Sequence, residues 1–395
     1  MTLIGRSLLA VLVAAYWIAL SGCADLSGEN RRLEGMIASM GSKYAPDART
    51  SVFRVTLSRT NKGIELSGEV DDRNAKAAVI GTVSPYVKRV TDNIRVLPDP
   101  SLGSRVWGIV DVSVANMRRD PDESTELVSQ ALLGTPVKLL RESGEWSYVQ
   151  TPDRYLGWMR MESFVLCTRA ELDAWITSPR EIVLSTYGAV RVEPRSSSTP
   201  VTDVVAGALL RTSGSTGGWM RVSLPDGRQG FIPASSVSDY DVWKERTRAT
   251  PEGIERIAKS LLGVPYLWGG TSTRALDCSG FTKTVYMLNG IQLSRDANQQ
   301  AEQGVPVSPG AKFENLKKGD LLFFGRKGID QRPGQILHVV MYLQDRTFIH
   351  ASGKVKINSL DPSSPLFDPN KLRSFICARR VLPDRVVSAD KTLHQ

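Results

Sequence analysis

Apolar residues along this chain change their spacing several times, and each change predicts a different kind of element. Leu8 to Ala19 forms an unbroken apolar run behind Arg6 and closes on Leu20-Ser21-Gly22-Cys23. A run of that length, with a basic residue before it and small residues after it, reads as a leader rather than a spanning helix. Gly63–Val70 and Val90–Val96 read as strands and Asn74–Val83 as a helix, predicting a small α/β module over residues 31–97. Pro98–Ser104 reads as a linker, and Asp384–Gln395 as a polar tail. Between residues 105 and 242 short apolar runs alternate with Gly, Pro, Ser and Asp turns, the pattern of small all-β barrels. Further on, Phe281–Leu288 suits a helix. Leu321-Leu322-Phe323-Phe324, Ile336-Leu337-His338-Val339-Val340 and Phe348-Ile349-His350-Ala351 suit buried strands.

The barrel region is a repeat. At a constant offset of 73 residues Arg118 matches Arg191, Pro121 matches Pro194, and Gly144-Glu145-Trp146 matches Gly217-Gly218-Trp219. Pro152-Asp153 then matches Pro225-Asp226, and Gly157-Trp158 matches Gly230-Phe231. Five landmarks on one offset predict two copies of one fold, at 105–167 and 181–242. The second copy has Arg228-Gln229 where the first has Tyr155-Leu156.

Charge changes the picture little. The net charge of +9 is spread out, and its densest runs, Arg118-Arg119 and Arg379-Arg380, are short. No arginine stripe interleaved with aromatics is present, which argues against a nucleic-acid partner. Beyond Cys23 three cysteines remain, Cys167, Cys278 and Cys377, an odd number that argues against a disulfide framework. Cys167 and Cys377 sit in apolar settings and read as inert core residues, with a bridge between them left open.

Chemistry concentrates on Cys278. It lies in Asp277-Cys278-Ser279-Gly280-Phe281, near the predicted helix N-terminus, where the dipole and free N–H groups favour a thiolate and later an oxyanion. The chain has three histidines, and two of them, His338 and His350, follow in strand-like runs. A cysteine, an imidazole to take its proton and a polar group to orient that imidazole make a nucleophilic triad. The same residues also fit a buried core cysteine with two structural histidines. Zinc is disfavoured, because no CxxC or HxxxH pair accompanies them.

Gly263-Val264-Pro265-Tyr266-Leu267-Trp268-Gly269-Gly270, then Asp277-Cys278-Ser279-Gly280-Phe281, then Gly319 to Phe324 and the two histidine strands resemble the NlpC/P60 family of cell-wall cysteine peptidases. The resemblance covers residues 250–383 and implies a papain-like catalytic domain needing no metal or cofactor. It implies that Cys278 is the nucleophile, His338 the base, His350 its orienting partner and Tyr266 a neighbour of the oxyanion. Residues 105–167 and 181–242 resemble bacterial SH3 domains, and the N-terminal module resembles a BON domain. The fold class expected is therefore multi-domain α+β, with two SH3-like barrels and a small α/β module ahead of the peptidase.

Such an architecture resembles the γ-D-glutamyl-L-diamino acid endopeptidases, which cut wall stem peptides and prefer a free L-Ala amine. By that resemblance Asp296 binds the amine, Tyr155 closes the cleft from the first barrel, and Glu126 supplies its acidic contact. Asp277 and Ser279 are candidates for the D-Glu carboxylate, although Ala297 stands where related enzymes often have a hydroxyl residue. Asp296 also fits as the cap of a helix starting at Ala297. The leader resembles that of bacterial lipoproteins, implying a lipid on Cys23. With Ala24 next, the resemblance points to the outer membrane in a Gram-negative cell. The expected protein is a monomeric, lipid-anchored enzyme of the cell envelope acting on peptidoglycan-derived peptides. The competing readings are an amidase or hydrolase of intact peptidoglycan and a non-catalytic wall-binding lipoprotein.

Overall fold

The computed structural model describes residues 28–328 and 334–382, which fall into two compact units divided after Leu102. The leader run, Cys23 and the polar tail from Asp384 lie outside the described residues. Among the described residues no helix is long and apolar enough to cross a membrane.

In the first unit, Gly63–Val70 pairs antiparallel with Phe53–Thr60 and parallel with Val90–Val96. The crossover helix Arg73–Val83 starts on an Asp72 cap, whose carboxylate accepts the Asn74 N–H at 2.7 Å. Ala75, Val79 and Val83 recur at helical spacing and bury against Ile64, Leu66 and Val70. The expected βαβ order is present. A helix over residues 28–44 and the strand Phe53–Thr60 are additions to it, and the helix contributes Leu33 and Ile37 to the same core.

The second unit holds two seven-stranded sheets of matching strand pattern and a six-stranded sheet. In the first barrel Met117, Leu139, Val149 and Met159 are fully buried; Val114–Arg118 alternates buried and outward residues, while Trp146–Val149 and Leu156–Met159 are buried throughout. The helix Arg169–Ile176, capped by a Thr168–Glu171 box, carries Leu172 and Trp175 against Ile109 and Cys167. The barrels interlock. Leu133 of the first is buried in the core of the second, and the Leu209 amide donates to its carbonyl at 2.9 Å.

The six-stranded sheet runs in the order 305–307, 375–380, 321–326, 335–342, 347–352, 354–359. Its period-two alternation buries both faces. Phe323, Val339, Met341, Ile349 and Ala351 pack with Phe281, Val285 and Tyr286 of the helix Cys278–Met287. Leu322, Phe324, Val340, Tyr342 and Phe348 pack on the opposite side with Leu372 and Phe375. The helix begins at Cys278 rather than Phe281, because Asp277 caps it by accepting the Gly280 N–H at 2.6 Å. Cys167, Cys278 and Cys377 are all free, so the bridge left open between Cys167 and Cys377 is absent.

Candidate active site

The helix and two adjacent antiparallel strands bring the three expected residues into one place. Cys278 is the first residue of its helix and is 8% exposed. The backbone N–H groups of Val339 and Ser279 both act to lower its thiol, and Val339 is the residue after His338. His338 and His350 lie on neighbouring strands, with His338 Nε2 2.8 Å from His350 Nδ1.

Hydrogen bonding further out fixes which nitrogen carries the proton. Asn358 Nδ2 donates to the Leu366 carbonyl at 3.2 Å, which turns its Oδ1 toward His350 Nε2, 3.1 Å away. His350 therefore donates from Nε2 and accepts at Nδ1. The proton between the imidazoles then belongs to His338 Nε2, leaving His338 Nδ1 unprotonated and free to accept from a thiol. Sequence reasoning did not find Asn358; its position opposite Phe348 follows only from the strand register.

Burial, then the Asp277 carboxylate, pushes the Cys278 thiol up to about 11, against the Val339 amide and Arg295. Burial, then Lys371 and His350, holds His338 well below the ordinary imidazole value. His350 is lowered to about 4, first by burial. The resting pair is thus a neutral thiol and a neutral imidazole. This differs from the thiolate expected of a helix N-terminus, because burial, and after it the capping carboxylate, outweighs the dipole. Burial, followed by Cys278 and Asp277, raises the Tyr266 phenol, which remains a neutral O–H donor at pH 7.

Beneath the nucleophile lies a polar network that sequence reasoning did not anticipate. Arg295 is almost fully buried, with Nη2 2.5 Å from Asp277 Oδ2 and Nη1 3.0 Å from Ser279 Oγ. Asp277 also accepts the Gly269 N–H at 2.9 Å. Gln300, wholly buried, accepts from Thr282 Oγ1 at 2.7 Å and donates to the Ser279 and Ser294 carbonyls. Asp277 and Ser279 are thereby engaged within the protein. Breaking such a buried pair from one side costs about 3–5 kcal/mol.

The first barrel forms one wall. Tyr155 is 5% exposed, and its phenol donates to Asp296 Oδ2 at 2.9 Å. Asp296 precedes the short helix Ala297–Gln300, and Gln299 Oε1 accepts its N–H at 3.1 Å, so it both caps and faces the barrel. Glu126 Oε1 accepts the Trp268 indole N–H at 2.7 Å and Oε2 meets Arg119 at 3.1 Å. Asp153 pairs with Lys283 of the nucleophile helix at 2.8 Å. Gln130 Oε1 accepts the Thr271 N–H at 3.0 Å. In the second barrel Arg228, at the position equivalent to Tyr155, donates instead to the Asp111 carbonyl of the first barrel at 3.0 Å. Among the described residues no cluster of three or more His, Cys, Asp or Glu side chains suits a metal ion.

A helix-borne cysteine beside a strand-borne histidine pair on a papain-like core defines a cysteine peptidase. Residues 263–371 match the NlpC/P60 family model, and residues 117–164 match the bacterial dipeptidyl-peptidase Sh3 domain. The chain is 32% identical over 271 residues to dipeptidyl-peptidase 6 of Lysinibacillus sphaericus, covering 66% of this chain and 93% of that protein. It is 28% identical over 327 residues to γ-D-glutamyl-L-lysine dipeptidyl-peptidase of Bacillus cereus, covering 80% of this chain and 94% of that protein. A crystal structure of an NlpC/P60 family protein from Bacillus cereus superposes with a TM-score of 0.60 at 27% identity, covering 70% of this chain and all of that one. The chain belongs to the NlpC/P60 family and is a peptidase.

Proposed function

We propose that this protein is a cell-envelope endopeptidase that hydrolyses the γ-D-glutamyl bond to the diamino acid of peptidoglycan stem peptides whose L-Ala amine is free. The observation that carries the reading is the Tyr155–Asp296 hydrogen bond, which joins the first barrel to the segment that follows Arg295. An ammonium entering a closed pocket needs a carboxylate, or its desolvation goes uncompensated. Asp296 offers one beside a blocking phenol, with Glu126 a second acid on the same barrel-facing side. An acylated L-Ala has neither the charge nor the room, so intact glycan-linked peptide is rejected.

In the mechanism that fits, the Cys278 thiol passes its proton to His338 Nδ1 as sulfur attacks the γ-glutamyl carbonyl carbon. The Tyr266 O–H and the backbone N–H of Cys278 face the developing oxyanion, an interaction worth about 3 kcal/mol when one donor is lost. His338 then gives the proton to the departing amine as the C–N bond breaks. Water, deprotonated by His338, cleaves the thioester and returns the thiol. His350 and Asn358 keep His338 in the tautomer this sequence needs. The leader with Cys23 supports lipid anchoring in the envelope, and the chain is read as a monomer.

Mass spectrometry of L-Ala-γ-D-Glu-diaminopimelate with full-length protein tests the reading, alongside the N-acetylated peptide and Cys278→Ala. Release of L-Ala-D-Glu from the free peptide alone is expected. Equal cleavage of both peptides would move the enzyme to wall hydrolysis.

A further inference from the structure

Two cations lie on the sheet face that carries the histidine pair. Strand register sets Lys356 directly opposite His350 and Phe324 directly opposite His338, so these four side chains share one face of the sheet. The Lys371 ammonium lies 5.6 Å from the centroid of the Phe324 ring. Both lysines are half-buried, and neither ammonium makes an ion pair among the described residues. Asp368, the acid nearest in sequence to Lys371, spends its Oδ1 on the Asn370 and Lys371 backbone N–H groups.

Burial outweighs the Asp368 carboxylate in lowering Lys371, so this half-withdrawn ammonium, beside that carboxylate and the Phe324 ring, still favours an added anion. Its field reaches the reacting groups. Lys371 is the second influence, after burial, depressing His338, and Cys278 in turn acts on Lys371. The barrel contacts of the cleft run instead to Trp268, Thr271, Lys283 and Asp296, the side assigned above to the L-Ala end. A peptide with its amine at Asp296 and its scissile carbonyl at Cys278 therefore carries its leaving residue toward the lysines.

We propose that Lys356 and Lys371 form a cationic leaving-group subsite that pairs with a carboxylate of the departing diamino acid. This rests on the peptidase reading above and adds to it a preference on the leaving side. A leaving residue with a side-chain or free α-carboxylate is favoured, and one ending in an ammonium with its α-carboxyl amidated is disfavoured.

The test is kcat/KM for L-Ala-γ-D-Glu peptides ending in meso-diaminopimelate, in L-lysine, and in the C-terminal amide of each. The same peptides are used with Lys371→Met and Lys356→Met. Native protein should favour carboxylate-bearing peptides by on the order of tenfold, and each variant should reduce that ratio, chiefly through KM. The diaminopimelate–lysine comparison reports a side-chain carboxylate, and the acid–amide comparison an α-carboxylate. A native preference for the lysine amide, or variants that slow all four peptides equally, would overturn the subsite. Binding of the four peptides to Cys278→Ala by calorimetry separates the two ideas. If nothing is cleaved the peptidase reading falls, while discrimination in binding still supports the subsite and equal binding still overturns it.

Discussion

At the scale of single residues, the active site is a chain of hydrogen bonds rather than a triad. From the Leu366 carbonyl through Asn358 and His350 to His338, each donor fixes the next acceptor, ending in a basic Nδ1. Asn358→Ala removes the group that sets the tautomer of His350. We expect kcat to fall on the order of tenfold or more with KM little changed, since the residue orients the base without touching substrate. Steady-state kinetics on the free-amine peptide check this, and a change in KM alone would contradict it. The pH profile follows from the same residues. His338 must be neutral to take the thiol proton, and burial holds it well below its ordinary value. Activity should thus survive acidification past the point where an ordinary imidazole would be half protonated. The acid limb of kcat/KM is expected below pH 6.5, the ordinary imidazole value. The thiol at about 11 sets an alkaline limb above the ordinary thiol range. An alkaline limb well below 11 would mean that the resting pair is ionic, with an imidazolium losing its proton there. An acid limb at or above neutrality would mean that burial does not depress His338.

At the scale of elements, two close approaches hold the cleft together. A Cβ on Gly280 would lie 2.0 Å from the Gly270 carbonyl oxygen, so the nucleophile helix meets the preceding loop backbone to backbone. A Cβ on Gly269, whose φ is +81°, would lie 2.2 Å from the Leu127 carbonyl oxygen of the first barrel. Gly269→Ala should therefore push the barrel away from the Trp268 loop. Expected is a several-fold rise in KM for the free-amine peptide, with alkylation of Cys278 by iodoacetamide, mapped by mass spectrometry, close to the native rate. Unchanged KM would show that the barrel wall does not bear on binding. Much of this layer was legible in the sequence. The Gly-rich loop, the nucleophile, both histidine strands and the 73-residue repeat all carry local patterns of period, breaker or spacing. Arg295, Gln300 and Asn358 carried none, because each acts through a partner on another element that only folding brings near. The N-terminal strand Phe53–Thr60 was missed for a different reason. It is an edge strand whose alternation, Phe53, Val55 and Leu57 against Arg54, Thr56 and Ser58, lasts only three apolar positions before an exposed polar end.

At the scale of the whole molecule, the two barrels differ in what they do with equivalent positions. Tyr155 of the first reaches Asp296, while Arg228 of the second reaches the first barrel's backbone. The second barrel also meets the peptidase domain directly, through Thr186 to Thr273 and Asp203 to Arg274, while the proposed amine pocket rests on the first barrel's contact, 141 residues apart in sequence. If the pocket is built by that contact, Tyr155 and Asp296 must act as a unit. Tyr155→Phe leaves Asp296 without its phenol donor, and Asp296→Asn removes the charge that meets the ammonium. Each alone should lower kcat/KM for the free-amine peptide and narrow the gap to the N-acetylated one. The double variant should lose less than the sum of the two, by about 1 kcal/mol, because residues sharing one hydrogen bond couple in this range. Strict additivity would mean that Tyr155 fills space and Asp296 binds the amine without it. An unchanged preference in both single variants would put amine recognition elsewhere in the cleft.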